Sequence, residues 1–389
     1  MIKYNINKST VDQIRKHLEK CSVHFHPALS TYVNINDYSV KLKHKATRFE
    51  AWNEDEELVG LIAMYINSSE GIGFITNVSV DIEYKGHGIA SKLMDQVKEY
   101  ASKNSIESIE LEVYQENIKA INFYHKHGFT TYGSTLKTLL MFHKIERNYN
   151  QEFKDTADHK YAYNFDFDVM HHYMIKSFKP FFKGDDVLEL GSFKGNFTER
   201  LLPYFKHITC VEASEEAVDY ASNNKKLGDN VEIYNSLFEN VTLPEKYNNI
   251  ILTHVLEHID NPVVLLNRIK EEWLTDDGCL FVVCPNANAP SRQIAVKMGL
   301  ITHNSAITPA EVEHGHRITY TLDTLERDAK QSGLKVVYRS GIFFKALANF
   351  QWDQLLQTDI ISKEYLDGCY ELGQQYPDLC SSIMLICKK

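Results

Sequence analysis

The residues whose types and spacing suit chemistry fall in two glycine-centred loops, each of which follows an apolar run and opens a helical pattern. In the first, Val80 leads through Asp81 and Glu83 into Lys85-Gly86-His87-Gly88-Ile89-Ala90. Two glycines let a ligand approach the backbone closely, and the unsatisfied N–H groups and dipole of a helix start attract a pyrophosphate. A glycine turn before any helix has the same local form. The second loop, Glu189-Leu190-Gly191-Ser192-Phe193-Lys194-Gly195, has Gly-x-x-x-Gly spacing without the middle glycine of a dinucleotide fingerprint. Downstream, Glu212 closes the run Cys210-Val211-Glu212, where a carboxylate can accept hydrogen bonds from two ribose hydroxyls. Two histidine-bearing stretches complete the set, His254-Val255-Leu256-Glu257-His258 and Glu311-Val312-Glu313-His314-Gly315-His316-Arg317. Histidine titrates near neutrality and can take a proton from an amine or hydroxyl, although capping and packing use it equally.

Strands must stand ahead of these loops and helices behind them. Residues 2–6 read as a strand, and Ser9-Thr10-Val11-Asp12 opens a helix with Ile14 and Leu18 one turn apart. Residues 47–52 and 58–66 form a hairpin about the acidic turn 53–57, and Ser68-Ser69-Glu70-Gly71 turns into a strand over 72–80. Past the loop, Ile89, Leu93, Val97 and Tyr100 lie at helical spacing; 109–113 is a strand, and 117–127 a helix ended by Gly128. Antiparallel strands thus lead to the first loop. Beyond it, the polar, aperiodic residues 146–160 read as a linker between one domain over 1–145 and another over 161–389. There, strands at 187–190, 208–211, 231–234, 250–253 and 280–283 alternate with helices at 197–205, 215–225, 262–273 and 322–332. The alternation predicts an α/β fold with a doubly wound parallel sheet and its ligand at the strand C-termini.

A chain of 389 residues is long for one core, which agrees with two domains. Its 43% hydrophobic content is that of a globular protein, and no apolar run approaches the roughly 20 residues that span a bilayer. Met1-Ile2-Lys3-Tyr4-Asn5 lacks the apolar core of a signal peptide, so a soluble cytoplasmic protein is expected. Seven scattered cysteines without a CxxC pair suit reduced, buried thiols. Residues 1–145 carry 17 basic and 17 acidic side chains, and the rest of the chain carries the whole net charge of −10. Neither half has the basic surplus that binds nucleic acid, which leaves a small substrate or neutral peptide as the expected partner.

With Asn117, Ala120, Phe123, Tyr124, Gly128 and Phe129 downstream of it, the first loop resembles that of the GCN5-related N-acetyltransferase (GNAT) family over roughly residues 1–145. The resemblance implies a mixed, mainly antiparallel sheet and a loop whose amides hold the pyrophosphate of acetyl-CoA. Lys85, Gly88 and Ala90 take the family's pattern positions; lysine replaces the usual Arg or Gln and loses the guanidinium fork. Val80, Gly86, His87, Ile89 and Asn117 complete the implied cofactor set. Tyr124 falls where the family often has the tyrosine that protonates the departing thiolate, a transfer matched by a phenol pKa of about 10. Tyr124 can equally be a packing aromatic. Asp81 and Glu83 are candidate bases for the amine proton, or partners of the helix dipole; Asn77 and Thr76 can instead hold a water there.

The second loop, Glu212, Ser236-Leu237-Phe238 and the run from Thr253 to Pro262, in this order, resemble the class I S-adenosylmethionine-dependent methyltransferases over roughly residues 160–389. The resemblance implies a Rossmann-like sheet with an antiparallel last strand, the closing pair being 334–344 and 381–387. It places Glu189, Gly191, Ser192 and Gly195 at the methionine and ribose end of S-adenosylmethionine, Glu212 on the ribose, Ser236, Leu237 and Phe238 about the adenine, and Thr253 beside the donor. Ser236 departs from the acid often found at its place. His254-x-x-Glu257-His258 also spells an inverted zinc-protease pattern, but at a strand end in this register no metal is expected. His254, His258, His314 and His316 are candidate bases for the acceptor proton, and proximity alone suffices where the nucleophile is already neutral.

Asn286, Asn288 and Arg292, after the fifth strand, can bind a polar ligand or simply make turns, and the aromatic residues between Tyr161 and Tyr173 can form a lid or a packed helix. Together the two halves imply a bifunctional transferase acting on a small amine-bearing metabolite, such as a nucleotide-linked amino sugar or natural-product intermediate. A peptide modifier, or one catalytic half with the other as a docking module, are the alternatives.

Overall fold

The computed structural model describes residues 2–25, 27–67, 71–104, 106–157 and 159–389, so the turn expected at Ser68-Ser69-Glu70 lies outside the described residues. The chain divides into two compact units, Met1–Arg147 and Asn148–Lys389.

The first unit runs β1 (Lys3–Ile6), α1 (Val11–Ser22), α2 (Ile35–Lys45), β2 (Thr47–Trp52), β3 (Leu58–Asn67), β4 (Ile72–Val80), α3 (Ile89–Lys103), β5 (Ser108–Tyr114), α4 (Ile118–Lys126), β6 (Thr130–Ser134) and β7 (Thr138–Lys144). Thr10 caps α1 in a reciprocal box with Gln13, which satisfies two orphan groups of the first turn. Helix α3 buries Ile89, Leu93, Met94, Val97 and Ala101 against the sheet, while Tyr100 sits half-exposed with its ring edge-on to Phe49. The seven strands lie in the order β1-β2-β3-β4-β5-β7-β6, and every pair is antiparallel except β4 with β5.

That exception positions the first site. Strands β4 and β5 pair from Ile72↔Ser108 only as far as Ile75↔Leu111, although both continue. Against β3, the register jumps from Ala63↔Asn77 to Met64↔Ile75, so Thr76 is an extra residue on β4. A bulge of this kind bends its strand and interrupts the ladder, leaving backbone groups of the two diverging strands to pair with something else.

The second unit begins with α5 (Tyr149–Glu152), and a π-helical turn at Asp166–Met170 runs into α6 (His171–Phe178). Then follow β8 (Asp186–Leu190), α7 (Thr198–Leu201), β9 (His207–Glu212), α8 (Glu215–Ser222), β10 (Val231–Asn235), β11 (Tyr247–Thr253), α9 (Pro262–Arg268) and β12 (Leu274–Pro285). The chain closes with α10 (Pro290–Lys297), α11 (Pro309–Glu313), α12 (Leu322–Gln331), β13 (Lys335–Phe344), α13 (Asn349–Leu355), α14 (Lys363–Gln375) and β14 (Cys380–Lys388). The strand order is β10-β9-β8-β11-β12-β14-β13; the first five are parallel, and β14 runs antiparallel to both its neighbours. The order reverses at β8, whose neighbours β9 and β11 lead away in opposite directions, and ligands gather at the carboxyl ends of such a switch point.

Helix α2 and strands β6 and β7 have no counterpart in the sequence reading, β12 starts at Leu274 rather than at 280, and three further features differ. Helix α7 covers only Thr198–Leu201 of the expected 197–205, because Pro203 lacks the N–H that would extend it, yet Phe197, Leu201 and Phe205 are still buried. The helix expected over 262–273 changes after Arg268 into a π-helical turn, Ile269–Trp273. Most of the segment read as a linker, 146–160, packs within the second unit: the Asn150 Oδ1 accepts from Ser214 Oγ at 2.7 Å, and Phe153 meets the Phe193 ring edge-on at 5.4 Å. These contacts are tertiary, so an aperiodic polar stretch gives no local sign of them. Among the described residues no helix is long and apolar enough to cross a membrane.

Candidate active sites

In the first unit the glycine loop stands exposed at the N-terminus of α3. Gly86 (φ 82°) and Gly88 (φ 75°) are both left-handed, and a Cβ on either would meet nothing within 4 Å. Gly88 is the N-cap and offers no side chain to the first-turn amides, so those N–H groups are left for a ligand. Lys85 and His87 are exposed beside it, Ala90 is half-buried, and Ile89 and Val80 pack into the core side of the loop. An open cradle of this kind fits a pyrophosphate.

Tyr124 is 8% exposed, between the rings of Phe123 and Phe129, and burial pushes its hydroxyl above the ordinary phenol value. It therefore stays protonated at neutral pH, as a proton donor must. Asn117 is the N-cap of α4, accepting from the Ala120 amide at 3.2 Å. Asp81 is buried, caps the Glu83 amide at 3.2 Å and pairs with Lys20 Nζ at 2.5 Å, while Glu83 lies exposed, 3.4 Å from the same ammonium.

A buried chain of polar groups escaped the sequence reading. His17 Nδ1 donates to the Leu58 carbonyl at 2.8 Å, its Nε2 lies 2.9 Å from Ser79 Oγ, and Ser79 Oγ lies 2.9 Å from Asn77 Oδ1. Burial pushes His17 down to about 4, so the ring is neutral. The Asn77 Nδ2 is buried without a partner. The available sign was the spacing of His17 with Ile14, Leu18 and Cys21, which puts it on the buried face of α1.

In the second unit a cavity of about 1090 Å³ opens at the carboxyl ends of β8, β9 and β11. Gly191 (φ 79°) lies so close to the chain after β11 that a Cβ would stand 2.3 Å from Val255 Cγ2. Glu189 is buried, accepts from Thr198 Oγ1 at 2.6 Å, and is pushed up to about 7 by burial. The Glu212 carboxylate accepts from the Phe193 amide at 2.8 Å and the Ser214 amide at 2.9 Å, and burial raises its pKa. Ser192 Oγ is buried with no partner. Glu189, Gly191, Ser192, Glu212, Phe238 and Thr253 all line the cavity. Gly195, Ser236 and Leu237 stand behind it: Gly195 packs on Leu227, and Ser236 ties its amide to the Glu212 carbonyl at 3.0 Å. A carboxylate with lone pairs to spare and an orphan hydroxyl fit a nucleoside with a charged amino-acid tail.

The four expected histidines reach the same cavity in different states. His254 (φ 54°) holds Ser382 Oγ at 3.1 Å through Nε2, and burial pushes it down to about 4. His314, 3% exposed, holds the Glu152 carbonyl at 2.9 Å through Nδ1, and its Nε2 has no partner. The rings of His258 and His316 are 4.5 Å apart, edge to face, and burial holds His316 down at about 4. Glu257 is buried beside them and pushed up to about 8 by burial.

Tyr161 stacks obliquely on Phe193 at 5.3 Å, whereas Phe165 and Tyr173 pack on Phe343 in the core, so the aromatic stretch forms both cavity wall and packed helix. Asn286 and Arg292 are braces: Asn286 donates to the carbonyls of Asp378 and Cys380, and Arg292 pairs with Glu311 at 2.5 Å.

The first unit has a bulged, diverging parallel pair with an open glycine loop, and the second a switch-point cavity with a carboxylate, Glu212, at the end of β9. Residues 11–129 match the acetyltransferase (GNAT) family, and residues 166–339 match a methyltransferase domain family. The chain carries a GNAT N-acetyltransferase domain followed by a class I S-adenosylmethionine-dependent methyltransferase domain; domains of these classes use acetyl-CoA and S-adenosylmethionine. Over 104 residues it is 33% identical to (S)-coclaurine N-methyltransferase of Thalictrum flavum subsp. glaucum, covering 25% of this chain and 28% of that protein. Over 85 residues it is 35% identical to streptothricin acetyltransferase of Escherichia coli, covering 22% of this chain and 48% of that protein. The chain thus spans less than half the length of either relative. Among solved structures, a SAM-dependent methyltransferase from Archaeoglobus fulgidus is 18% identical over 57% of this chain and 94% of that one, with a TM-score of 0.38.

Proposed function

We propose that the chain is a bifunctional transferase that N-acetylates, and N- or O-methylates, a small amine-bearing metabolite. The observation that carries this reading is the cavity of about 1090 Å³ with two buried polar atoms, Ser192 Oγ and His314 Nε2, left without partners along it. Pockets that bury one small ligand typically measure about 300–1000 Å³, so this volume has room for a donor and a compact acceptor together. The two relatives are named for the acceptors coclaurine and streptothricin, which supports a discrete compound as the acceptor. The net charge of −10 argues against a nucleic-acid acceptor.

When bound, acetyl-CoA supplies an activated acyl carbonyl and S-adenosylmethionine a methyl group on a positive sulfur. In the first domain the amides from Gly86 to Ala90, with Lys85, would hold the pyrophosphate. Tyr124 would be the proton donor for the departing thiolate. With Asp81 engaged by Lys20, Asn77 is better placed than either acid to hold a water that carries the amine proton away. In the second domain Glu212 would hold the ribose and Ser192 the polar tail, while Glu189 braces the loop through Thr198. His314 accepts the acceptor's proton at Nε2.

Mass spectrometry of a panel of amines incubated with both donors tests the reading, and gain of an acetyl, a methyl or both on one compound is expected. Modification of peptides but not of small amines would transfer the activity to a peptide modifier. No gain on any compound would leave one or both halves as docking modules.

A further inference from the structure

We propose that Glu257, His258 and His316 form a binding site for one divalent transition-metal ion in the wall of the methyltransferase cavity. The sequence pattern points elsewhere, since a zinc site built on His254-x-x-Glu257-His258 needs both histidines together. His254 instead turns to Ser382, and His316, some sixty positions on, takes its place. One ligand atom from each of Glu257, His258 and His316 lies within 4.8 Å of the others. Ligands at about 2.0–2.2 Å from a common ion stand roughly 3–4 Å apart, so small side-chain rotations close the set.

The backbone already holds the donors in place. The Glu257 carbonyl accepts from the amides of Arg317 at 2.7 Å and Ile318 at 3.2 Å, which clamps the chain carrying His316 onto the turn carrying Glu257 and His258. Arg317 Nε adds an ion pair to Asp260 at 3.1 Å on the far side of that turn. Glu257 itself is 1% exposed, and its Oε2 has no hydrogen-bond partner. A buried carboxyl oxygen without a partner is costly, and a cation displacing the carboxyl proton would satisfy it. Two imidazoles and one carboxylate suit zinc, iron(II), cobalt(II) or manganese(II) and leave coordination positions open. All three residues line the cavity, so the open positions can take the nitrogen or oxygen of an acceptor. That use of the ion rests on the methyl-transfer reading; its binding does not.

The test uses the full chain, stripped with a chelator and titrated with cobalt(II), read by visible absorption and by bound metal in plasma mass spectrometry. One equivalent is expected, and His316→Gln and Glu257→Gln should each weaken binding at least about tenfold. His303→Gln, at an exposed loop position, should leave it unchanged. Circular dichroism checks that each variant folds, and the His316 variant suffices if the buried Glu257 variant does not. Wild type retaining no more cobalt than His316→Gln would overturn the site. Stoichiometric cobalt without methyl transfer to any acceptor would keep the site and sink the methyl-transfer reading; full methyl transfer by metal-free protein would remove the ion's catalytic use.

Discussion

The Nδ1 of His314 lies 2.9 Å from the carbonyl oxygen of Glu152, while its Nε2 is buried with no partner. A carbonyl can only accept, so Nδ1 carries the hydrogen, and in the neutral ring Nε2 keeps a bare lone pair. A backbone atom from the segment read as a linker thereby sets the tautomer of a candidate base. Substitution His314→Gln should lower methyl transfer by roughly 10²–10⁴-fold for an acceptor that must lose a proton. Binding of S-adenosylmethionine by calorimetry should be little changed. An unaltered kcat would show that the ring only packs.

The two glycine loops should respond differently to alanine. At Gly191 the added Cβ meets Val255 at 2.3 Å and the residue is left-handed, so both overpacking and backbone strain apply. Gly191→Ala should cost about 2–4 kcal/mol and abolish donor binding. Gly88→Ala meets open space and pays only the left-handed strain, about 1–2 kcal/mol, with its larger effect on CoA affinity. Thermal unfolding with and without each cofactor separates the cases, and equal losses at both positions would contradict the packing difference.

Tyr124→Phe keeps the ring between Phe123 and Phe129 and removes only the hydroxyl. Acetyl transfer should fall by about 10²-fold while CoA still binds. Turnover at the wild-type rate would make Tyr124 a packing aromatic.

Glu189 gives a pH dependence with a definite sign. Burial raises it from an ordinary 4.5 to about 7, so as pH rises the unfolded chain releases this proton before the folded one does. Its contribution is most favourable below about 4.5 and is lost as pH rises through 7, on the order of 3 kcal/mol in all. Glu189→Gln keeps an acceptor for Thr198 and removes the titration, so urea unfolding of the cofactor-free variant should lose less stability between pH 5 and 8 than wild type. Parallel pH profiles would place the titration on another group.

Local pattern sufficed wherever one residue's neighbours in sequence decided its state. Strand β4 coincides with the expected 72–80, since alternation and the flanking turns are local; the parallel sheet of the second unit followed from the alternation of strand and helix, whereas the place of its reversal did not. Both glycine loops were legible too, because left-handed φ and helix starts are properties of a few adjacent residues. Their partners were only partly so. Glu212 and Thr253 fall at strand ends, which a sequence reveals, but nothing local sets the 4.5 Å meeting of His258 with His316, the hold of Glu152 on His314, or the place of Phe153 and Tyr161 in the cavity wall. Nor does it set the His17–Ser79–Asn77 chain, which joins a helix face to the next layer of sheet. The sequence by itself determined two glycine loops, their order and the fold class around each. The tertiary structure decided which of several similar histidines has a free lone pair and which stand beside a carboxylate, because hydrogen-bond partners and burial come from chain segments far apart in sequence.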